Sequence, residues 1–362
     1  MKKRICNIVC DITSGGVESV LINYFSRMDL GNYELDLMTY GIASESCAEK
    51  FRKLGFNIIV VPPKREGFFR SVREMDKVIK AGKYDILHAH LTEWNCIPMF
   101  LGWKDGVKMR ISHSHMADFP KGWKAKLLLY VQKLLNKGFA NILCACGDDA
   151  AKYLYGQKTI KRGKVKIINN AIDVERFKPN ETVRKAVRDE LGISEKTLCI
   201  GHIGRFLEQK NHTFLIDVYA ELKKLREDSC LILLGIGPLE EKIKEKVNKL
   251  GLSSSVMFLG IRDDPERLYQ AMDVFCLPSL YEGLPVVGIE VQAAGVPCVM
   301  SDKVSQKVKI TSLVNMLGLE EEAKTWAKKL LSVSEIDKSN RYFPSEYDIS
   351  KTCNQWRSLY GG

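Results

Sequence analysis

Short apolar runs punctuate this chain at regular intervals, and each is followed by a loop and then by a segment whose apolar residues fall three or four apart. In the first half the runs are ICNIVCDI, YELDLMTY, NIIVVP, DILHAH, KMRISHSH and NILCAC; in the second they are TLCIGHIGR, CLILLGIG, SVMFLG, DVFCLPS and PCVMS. Runs of this length and continuity predict β-strands buried on both faces. The intervening segments predict amphipathic helices. In VESVLINYFSRM, residues Val17, Val20, Leu21, Tyr24 and Phe25 make one apolar face, and LEEKIKEKVNKLG carries Glu–Lys pairs on its outer side. Strands alternating with helices mean parallel sheets covered on both faces, and the alternation occurs twice. The expectation is therefore an α/β protein of two doubly wound domains facing a central cleft, with ligands at the carboxyl ends of the strands. No internal repeat or low-complexity segment interrupts it.

Length agrees with that division, because 362 residues exceed one ordinary hydrophobic core. With 45% hydrophobic and 27% charged residues the composition is that of a soluble globular protein. No apolar run reaches the roughly 18–20 residues of a membrane span. The opening MKKRICNIVCDI reads as a first strand rather than a signal peptide, since its apolar stretch ends in Asp11 and lacks a small-residue cleavage site. Eleven cysteines are scattered, many within apolar runs (Cys6, Cys10, Cys199, Cys276, Cys298), as buried free thiols of a reducing cytoplasm would be. Cys144 and Cys146 share a strand face without zinc-ligand partners nearby, so they read as core.

Charge changes the picture more. The net charge of +11 is uneven: residues 1–170 hold 28 Lys and Arg against 16 Asp and Glu, while 171–362 hold 27 against 28. The asymmetry sets a domain boundary near residue 170 and suits the first half to an anionic partner. Two segments stand out there, PPKREGFFRSVREM and KGWKAKLLLYVQKLLNKG. The second sets Trp123, Lys124, Lys126, Lys133 and Lys137 around Leu127, Leu128, Tyr130, Val131, Leu134 and Leu135. It reads either as a packed helix with a solvated lysine face or as a peripheral contact with an anionic membrane. No nucleic-acid recognition motif accompanies the charge.

Three glycine-bearing loops follow strands. GHIGRFLEQKNH brings Gly204, Arg205 and Lys210 together ahead of a helix, and helix N–H groups with two cations suit a diphosphate. TSGGVES places Gly15 and Gly16 between the first strand and the first helix, and LGIGPLEEKI offers Gly235 and Gly237. The stretch LPSLYEGLPVVGIEVQAAGVPCVMS carries two acids, Glu282 and Glu290, among apolar residues. Pro285 suits the first turn of a helix that Gly295 and Pro297 close, which puts Glu282 in the loop before it and Glu290 about 7.5 Å along its axis. A buried carboxylate left unmet costs several kcal/mol. Either Lys or Arg from elsewhere meets these acids, or hydroxyls do. A nucleotide sugar supplies ribose hydroxyls to one, hexose hydroxyls to the other and a diphosphate between.

The spacing of Glu282 and Glu290 within PSLYEGLPVVGIEVQAAGVPCV resembles the signature of family 4 retaining glycosyltransferases. GRFLEQKNH is similar to that family's donor-phosphate loop, NNAIDVERFKP to its interdomain segment, and LILLGIGPLEEKI and VMFLGIRDD to its nucleotide-domain strands. The segment VSQKVKITSLVNMLGL departs from the commoner Gly-rich pattern and is similar to bacterial capsular and exopolysaccharide members. The resemblance implies a GT-B architecture of two Rossmann-like domains. An acceptor domain would span 1–170, a donor domain 171–344, and a C-terminal helix at 345–362 would pack back toward the first.

Carried over by residue, the resemblance implies that Arg205 and Lys210 hold the diphosphate beside Gly16 and Gly204. Glu290 would take the ribose hydroxyls, Glu282 the transferred sugar next to Gly283 and Leu284, and the chain at Arg262 would frame the base. It also implies a histidine near the anomeric centre. Of His113 and His115, the strand end favours His115; His90 reads as structural or acceptor-side. The implied reaction moves a hexose or N-acetylhexosamine from a UDP-type nucleotide sugar to a saccharide or polyprenyl-diphosphate-linked acceptor, at the inner face of the cytoplasmic membrane. No two aspartates are separated by a single residue, so no Asp-x-Asp metal pair exists, and no cofactor or metal is implied. A nucleotide-sugar epimerase and a non-catalytic sugar-nucleotide-binding partner are the alternatives.

Overall fold

The computed structural model describes residues 2–13, 15–115, 122–335 and 343–361. Ser14 of TSGG and Met116, Ala117 and Asp118 beyond His115 lie outside the described residues. The chain divides into two compact units. Unit 1 comprises Met1–Ala171 with Glu346–Gly362, and unit 2 comprises Ile172–Ser345.

Unit 1 contains β1 (Lys3–Ile8), β2 (Asp11–Ile12), β3 (Tyr33–Thr39), β4 (Gly41–Ile42), β5 (Phe56–Val60), β6 (Ile86–Ala89), β7 (Met109–Ser114), β8 (Ile142–Ala145) and β9 (Val165–Ile167). Seven of them form one parallel sheet in the order β5-β3-β1-β6-β7-β8-β9, and β2 pairs with β4 separately. The run ICNIVCDI is thus two strands, not one. Between them Cys10 is exposed, contrary to the expectation of burial. Strand β9 escapes the apolar pattern because it lies among lysines at the sheet edge, where charge is tolerated and deters further pairing. In the helix Gly16–Phe25, Val20, Leu21, Tyr24 and Phe25 are buried, but Val17 is only half-buried and Glu18 is buried instead.

The two faces of this sheet differ in chemistry. Cys6, Ile8, Met38, Leu87 and Ala89 pack against Met75 and Ile79 of the helix Phe68–Gly82. The alternate residues Asn7 and His88 are register partners on β1 and β6 and are fully buried. They are covered by the last segment of the chain, which forms two short helices, Ile349–Thr352 and Asn354–Leu359, rather than one. Its Trp356 stacks on Tyr24 at 4.8 Å and meets Phe25 edge-on at 5.4 Å.

Unit 2 continues with β10 (Leu198–Ile203), β11 (Ser229–Leu234), β12 (Val256–Phe258), β13 (Val274–Leu277), β14 (Cys298–Ser301) and β15 (Val314–Leu317). These form a parallel sheet in the order β12-β11-β10-β13-β14-β15. Strand β15 falls inside VSQKVKITSLVNMLGL, which sequence pattern alone does not mark as a strand. The core gathers Ile200, Leu231, Leu233, Val274 and Val299 from the sheet with Leu215, Tyr219, Leu222, Trp326 and Leu330 from the helices.

In both sheets strand order reverses once, between β1 and β6 in unit 1 and between β10 and β13 in unit 2. At such a reversal the loops from adjacent strands run to opposite faces and leave a crevice at the carboxyl ends. Because Trp356 is fully buried against three aromatic rings, Trp356→Ala should destabilise unit 1 by about 3–5 kcal/mol. The check is a lower denaturant midpoint at unchanged slope; an unshifted midpoint would show that the C-terminal segment contributes nothing to this core.

Candidate functional site

At the reversal in unit 2, the loops after β10 and β13 bring the expected cations and acids together. After β10, Gly204 leads through Arg205 to a short turn, Glu208–Lys210, before Asn211 takes a left-handed conformation and the helix His212–Leu225 begins. Arg205 therefore precedes the α-helix by more than a turn, and Lys210 lies just before its N-cap, Asn211. Arg205 is exposed and its side chain has no partner among the described residues. Lys210 points to the neighbouring loop, where its Nζ donates to Glu282 Oε1 at 2.5 Å. Ser279 Oγ donates to the same oxygen at 3.2 Å. The two loops are tied by backbone as well, Leu280 N donating to Gln209 O at 2.7 Å.

The glycines of the third loop have a packing role. A Cβ on Gly235, whose φ is +133°, would lie 2.2 Å from Gly204 O, and one on Gly237 would lie 2.7 Å from Phe206 O. The loops after β10 and β11 therefore lie backbone on backbone, joined by Phe206 N to Ile236 O at 3.1 Å and Leu239 N to Phe206 O at 3.1 Å. No side chain fits between them.

Glu290 sits in the helix Val286–Ala293, for which Pro285 is the N-cap rather than the first helical residue. Gly283 is half-buried and Leu284 buried in the turn leading to it. The hydroxyl of Tyr269 donates to Glu290 Oε2 at 2.9 Å. Burial nonetheless dominates and raises the Glu290 carboxyl to about 7. The two acids of this stretch are thus met differently, Glu282 by a cation and a hydroxyl and Glu290 by a phenol. Arg262 donates to Asp264 at 2.9 Å through Nε and to Glu190 at 2.8 Å through Nη2, so those two nitrogens are engaged by acids. Tyr269 and Ser279 are the contributors that sequence reasoning missed; nothing in a motif marks a tyrosine thirteen positions before the EGLP turn.

In unit 1 the chemistry gathers where β1, β6 and β7 end. Gly16 is exposed at the first turn of its helix, while the N–H of Gly15 donates to Glu18 Oε2 at 2.9 Å. Any anion bound at this turn shares it with that carboxylate. His88 and His113 project from β6 and β7, and His90 and His115 are the residues that follow those strands. His88 Nε2 lies 3.1 Å from His113 Nδ1, and His90 Nδ1 lies 2.8 Å from His115 Nε2. Desolvation lowers all four, His115 to about 4, so they are neutral at pH 7. His113 is fully buried and His115 only partly, so His115 is the member of the pair that a ligand can reach. Nitrogens of His88, His90 and His113 lie within 4.8 Å of one another, near enough for a metal ion, but a metal there would displace the imidazole–imidazole hydrogen bonds.

The lysine-rich helix Trp123–Phe139 is inverted relative to an ordinary packed helix. Its buried residues are Leu129, Gln132 and Asn136, and Asn136 is bound to Ser112 and to Glu93 O. Trp123 is 71% exposed, and Leu127, Leu128, Tyr130, Val131, Leu134 and Leu135 are all exposed. Unlike Leu129, these apolar side chains are not spent on the core.

The raised Glu290 carboxyl gives a stability test. A folded pKa of about 7 against an ordinary 4.5 means the stabilisation is complete below about pH 4.5 and is lost as pH rises through 7. The difference corresponds to about 3 kcal/mol. Glu290→Gln should therefore match the parent at pH 4.5 and exceed it by up to about 3 kcal/mol at pH 8 in denaturant titrations. An equal gap at both pH values would mean that the carboxylate is not paying for its burial.

With this geometry in view, known proteins agree on one family. Residues 183–346 match the family described as Glycosyl transferases group 1, and residues 14–176 match Glycosyltransferase Family 4. EpsF of Bacillus subtilis is 35% identical over 99% of this chain and 96% of its own length. The Escherichia coli UDP-Gal:alpha-D-GlcNAc-diphosphoundecaprenol alpha-1,3-galactosyltransferase is 28% identical over 64% of this chain and 62% of its own. Among solved structures, Anabaena HepE in complex with UDP-glucose superposes with a TM-score of 0.75 at 18% identity, covering 98% of this chain and 94% of that one, which is likeness of fold. Matched along nearly its whole length to sugar transferases built on two parallel-sheet units, the chain belongs to the family 4 glycosyltransferases, with the GT-B fold.

Proposed function

We propose that this enzyme transfers a hexose or N-acetylhexosamine, with retention of anomeric configuration, from a UDP-linked donor to a lipid-linked saccharide during assembly of a capsular or exopolysaccharide repeat unit. The observation that carries the reading is the Lys210–Glu282 ion pair at the strand-order reversal of unit 2, with Arg205 exposed beside it in sequence. Without a donor the two charges satisfy each other. A donor exchanges both partners: Lys210 turns with Arg205 to the diphosphate, and Glu282 accepts hydroxyls of the transferred sugar. Glu290, buried and reluctant to ionise, gains hydrogen-bond donors when ribose hydroxyls reach it. His115 and Gly16 of unit 1 are the positions that the family resemblance assigns to the transferred sugar and to the phosphates.

Charge on the leaving diphosphate is then met by fixed cations and N–H groups, without a metal. As the acceptor oxygen bonds to the anomeric carbon, the bond to the diphosphate oxygen breaks on the same face, and that oxygen takes the hydroxyl proton. The UDP-glucose complex of HepE and the diphosphoundecaprenol acceptor named for the E. coli relative support the substrate classes. Free cysteines agree with a cytoplasmic setting. Incubation with UDP-sugars should release UDP only when a lipid-linked acceptor is present. Arg205→Ala should raise the donor KM and lower kcat/KM about 100-fold, and Glu282→Gln should act mainly on kcat. Unchanged turnover in both variants would remove the assignment.

The exposed apolar and lysine side chains of Trp123–Phe139 support peripheral attachment to an anionic membrane, where such an acceptor resides. Among the described residues no helix is long and apolar enough to cross a bilayer. The protein should therefore sediment with vesicles containing anionic lipid and be released by salt. Trp123→Ser with Leu127→Ser should abolish sedimentation; equal recovery on neutral vesicles would contradict the electrostatic part.

A further inference from the structure

The four imidazoles of unit 1 form two hydrogen-bonded pairs that converge on one amide. His90 Nε2 lies 3.3 Å from Asn7 Oδ1. His88 Nδ1 lies 2.8 Å from the Tyr360 hydroxyl, which lies 3.5 Å from the same Asn7 oxygen. The ring centroids lie 4.1 Å apart for His88 and His90, which are tilted, and 4.2 Å apart for His113 and His115, which are stacked. Asn7, His88, His113 and Tyr360 are fully buried, so solvent does not scramble the hydrogens.

A neutral imidazole carries one N–H and one lone pair, so each contact fixes the next. An amide oxygen only accepts, and it has two lone pairs. The Asn7 oxygen therefore takes the N–H of His90 Nε2, which leaves His90 Nδ1 to accept from His115 Nε2. Its second lone pair takes the Tyr360 hydroxyl. That hydroxyl oxygen then accepts from His88 Nδ1, and His88 Nε2 accepts from His113 Nδ1. Two atoms of the cluster are left over, Asn7 Nδ2 and His113 Nε2, both buried with no hydrogen-bond partner. In this arrangement the His113 nitrogen bears a lone pair, not an orphaned N–H, which is the better tolerated of the two, while the Asn7 amide keeps its N–H groups unmet.

We infer that Asn7, acting through His90, is a positioning residue that holds His115 protonated on Nε2, so that His115 offers the lone pair of Nδ1 to its ligand. His115 then accepts a hydrogen bond from a substrate hydroxyl and does not donate one to a phosphate oxygen. The depressed basicity of the whole cluster keeps it neutral and the assignment intact at pH 7. That the ligand is the donor sugar rests on the function proposed above; the tautomer does not.

The test is a two-bond proton–nitrogen NMR correlation on the full chain with labelled histidine. The chain has six histidines, assigned by single substitutions. At pH 7 His90 and His115 should show the Nε2–H tautomer, and His88 and His113 the Nδ1–H tautomer. Asn7→Leu should give mixed tautomers at His115 and lower kcat about tenfold or more, with little change in donor KM. Asn7→Asp, which keeps an acceptor, should restore the tautomer. Tyr360→Phe should release only the His88–His113 pair, and it serves if Asn7→Leu does not fold. An Nδ1–H tautomer or an imidazolium at His115 in the parent, or an unchanged tautomer in Asn7→Leu, would overturn the inference. If the tautomers are as stated but His115→Ala turns over at the parental rate, the positioning by Asn7 is supported, and it is the placement of His115 at the donor sugar that falls.

Discussion

Carboxylates and imidazoles without water must be met by other protein atoms, and the polar chemistry of this enzyme is arranged around that constraint. Glu282 is met by Lys210 and Ser279, Glu290 by Tyr269, and the four histidines by one another, Asn7 and Tyr360. Apart from Ser279, which shares its loop with Glu282, each partner comes from a different strand, loop or helix, so the elements must register correctly before the groups are satisfied. The strand-order reversals matter for this reason. They bring the ends of β10 and β13, and those of β1, β6 and β7, close enough for side chains to complete one another.

Much of this was legible in the sequence because doubly wound domains write their loops between recognisable strands. Apolar runs located most of the sheet, and the loop after each run named Arg205, Lys210, Glu282 and Glu290 without any view of their contacts. What stayed hidden was of two kinds. Edge strands such as β9 and β15 carry charge or mixed polarity, so the period that marks central strands is missing. Partners distant in sequence leave no trace either: Tyr360 reaches His88 across 272 positions, and nothing near either residue announces the other. The glycines after β11 were misleading in a third way. They resembled a phosphate loop, but Gly235 and Gly237 serve the backbone of the neighbouring loop.

The helix Trp123–Phe139 shows the limit of amphipathic reasoning. Its sequence separates apolar from basic positions, and the usual inference sends the apolar side inward. Here Gln132 and Asn136 face inward, because Asn136 is bound to Ser112 on β7 and to the carbonyl of Glu93. A polar anchor fixes the helix's rotation, and Leu127, Leu128, Leu134 and Leu135 turn outward as a consequence, leaving Leu129 inside.

The return of the chain from unit 2 to unit 1 bears on how the protein is made. The residues that close the histidine-lined interior, Trp356 and Tyr360, are translated only after all of unit 2. An emerging N-terminal half therefore carries an unfinished polar core and an aromatic vacancy beside Tyr24 and Phe25 for as long as synthesis of the second half lasts. Completion of the first unit is timed by the last to be made, which couples the maturation of one unit to the synthesis of the other.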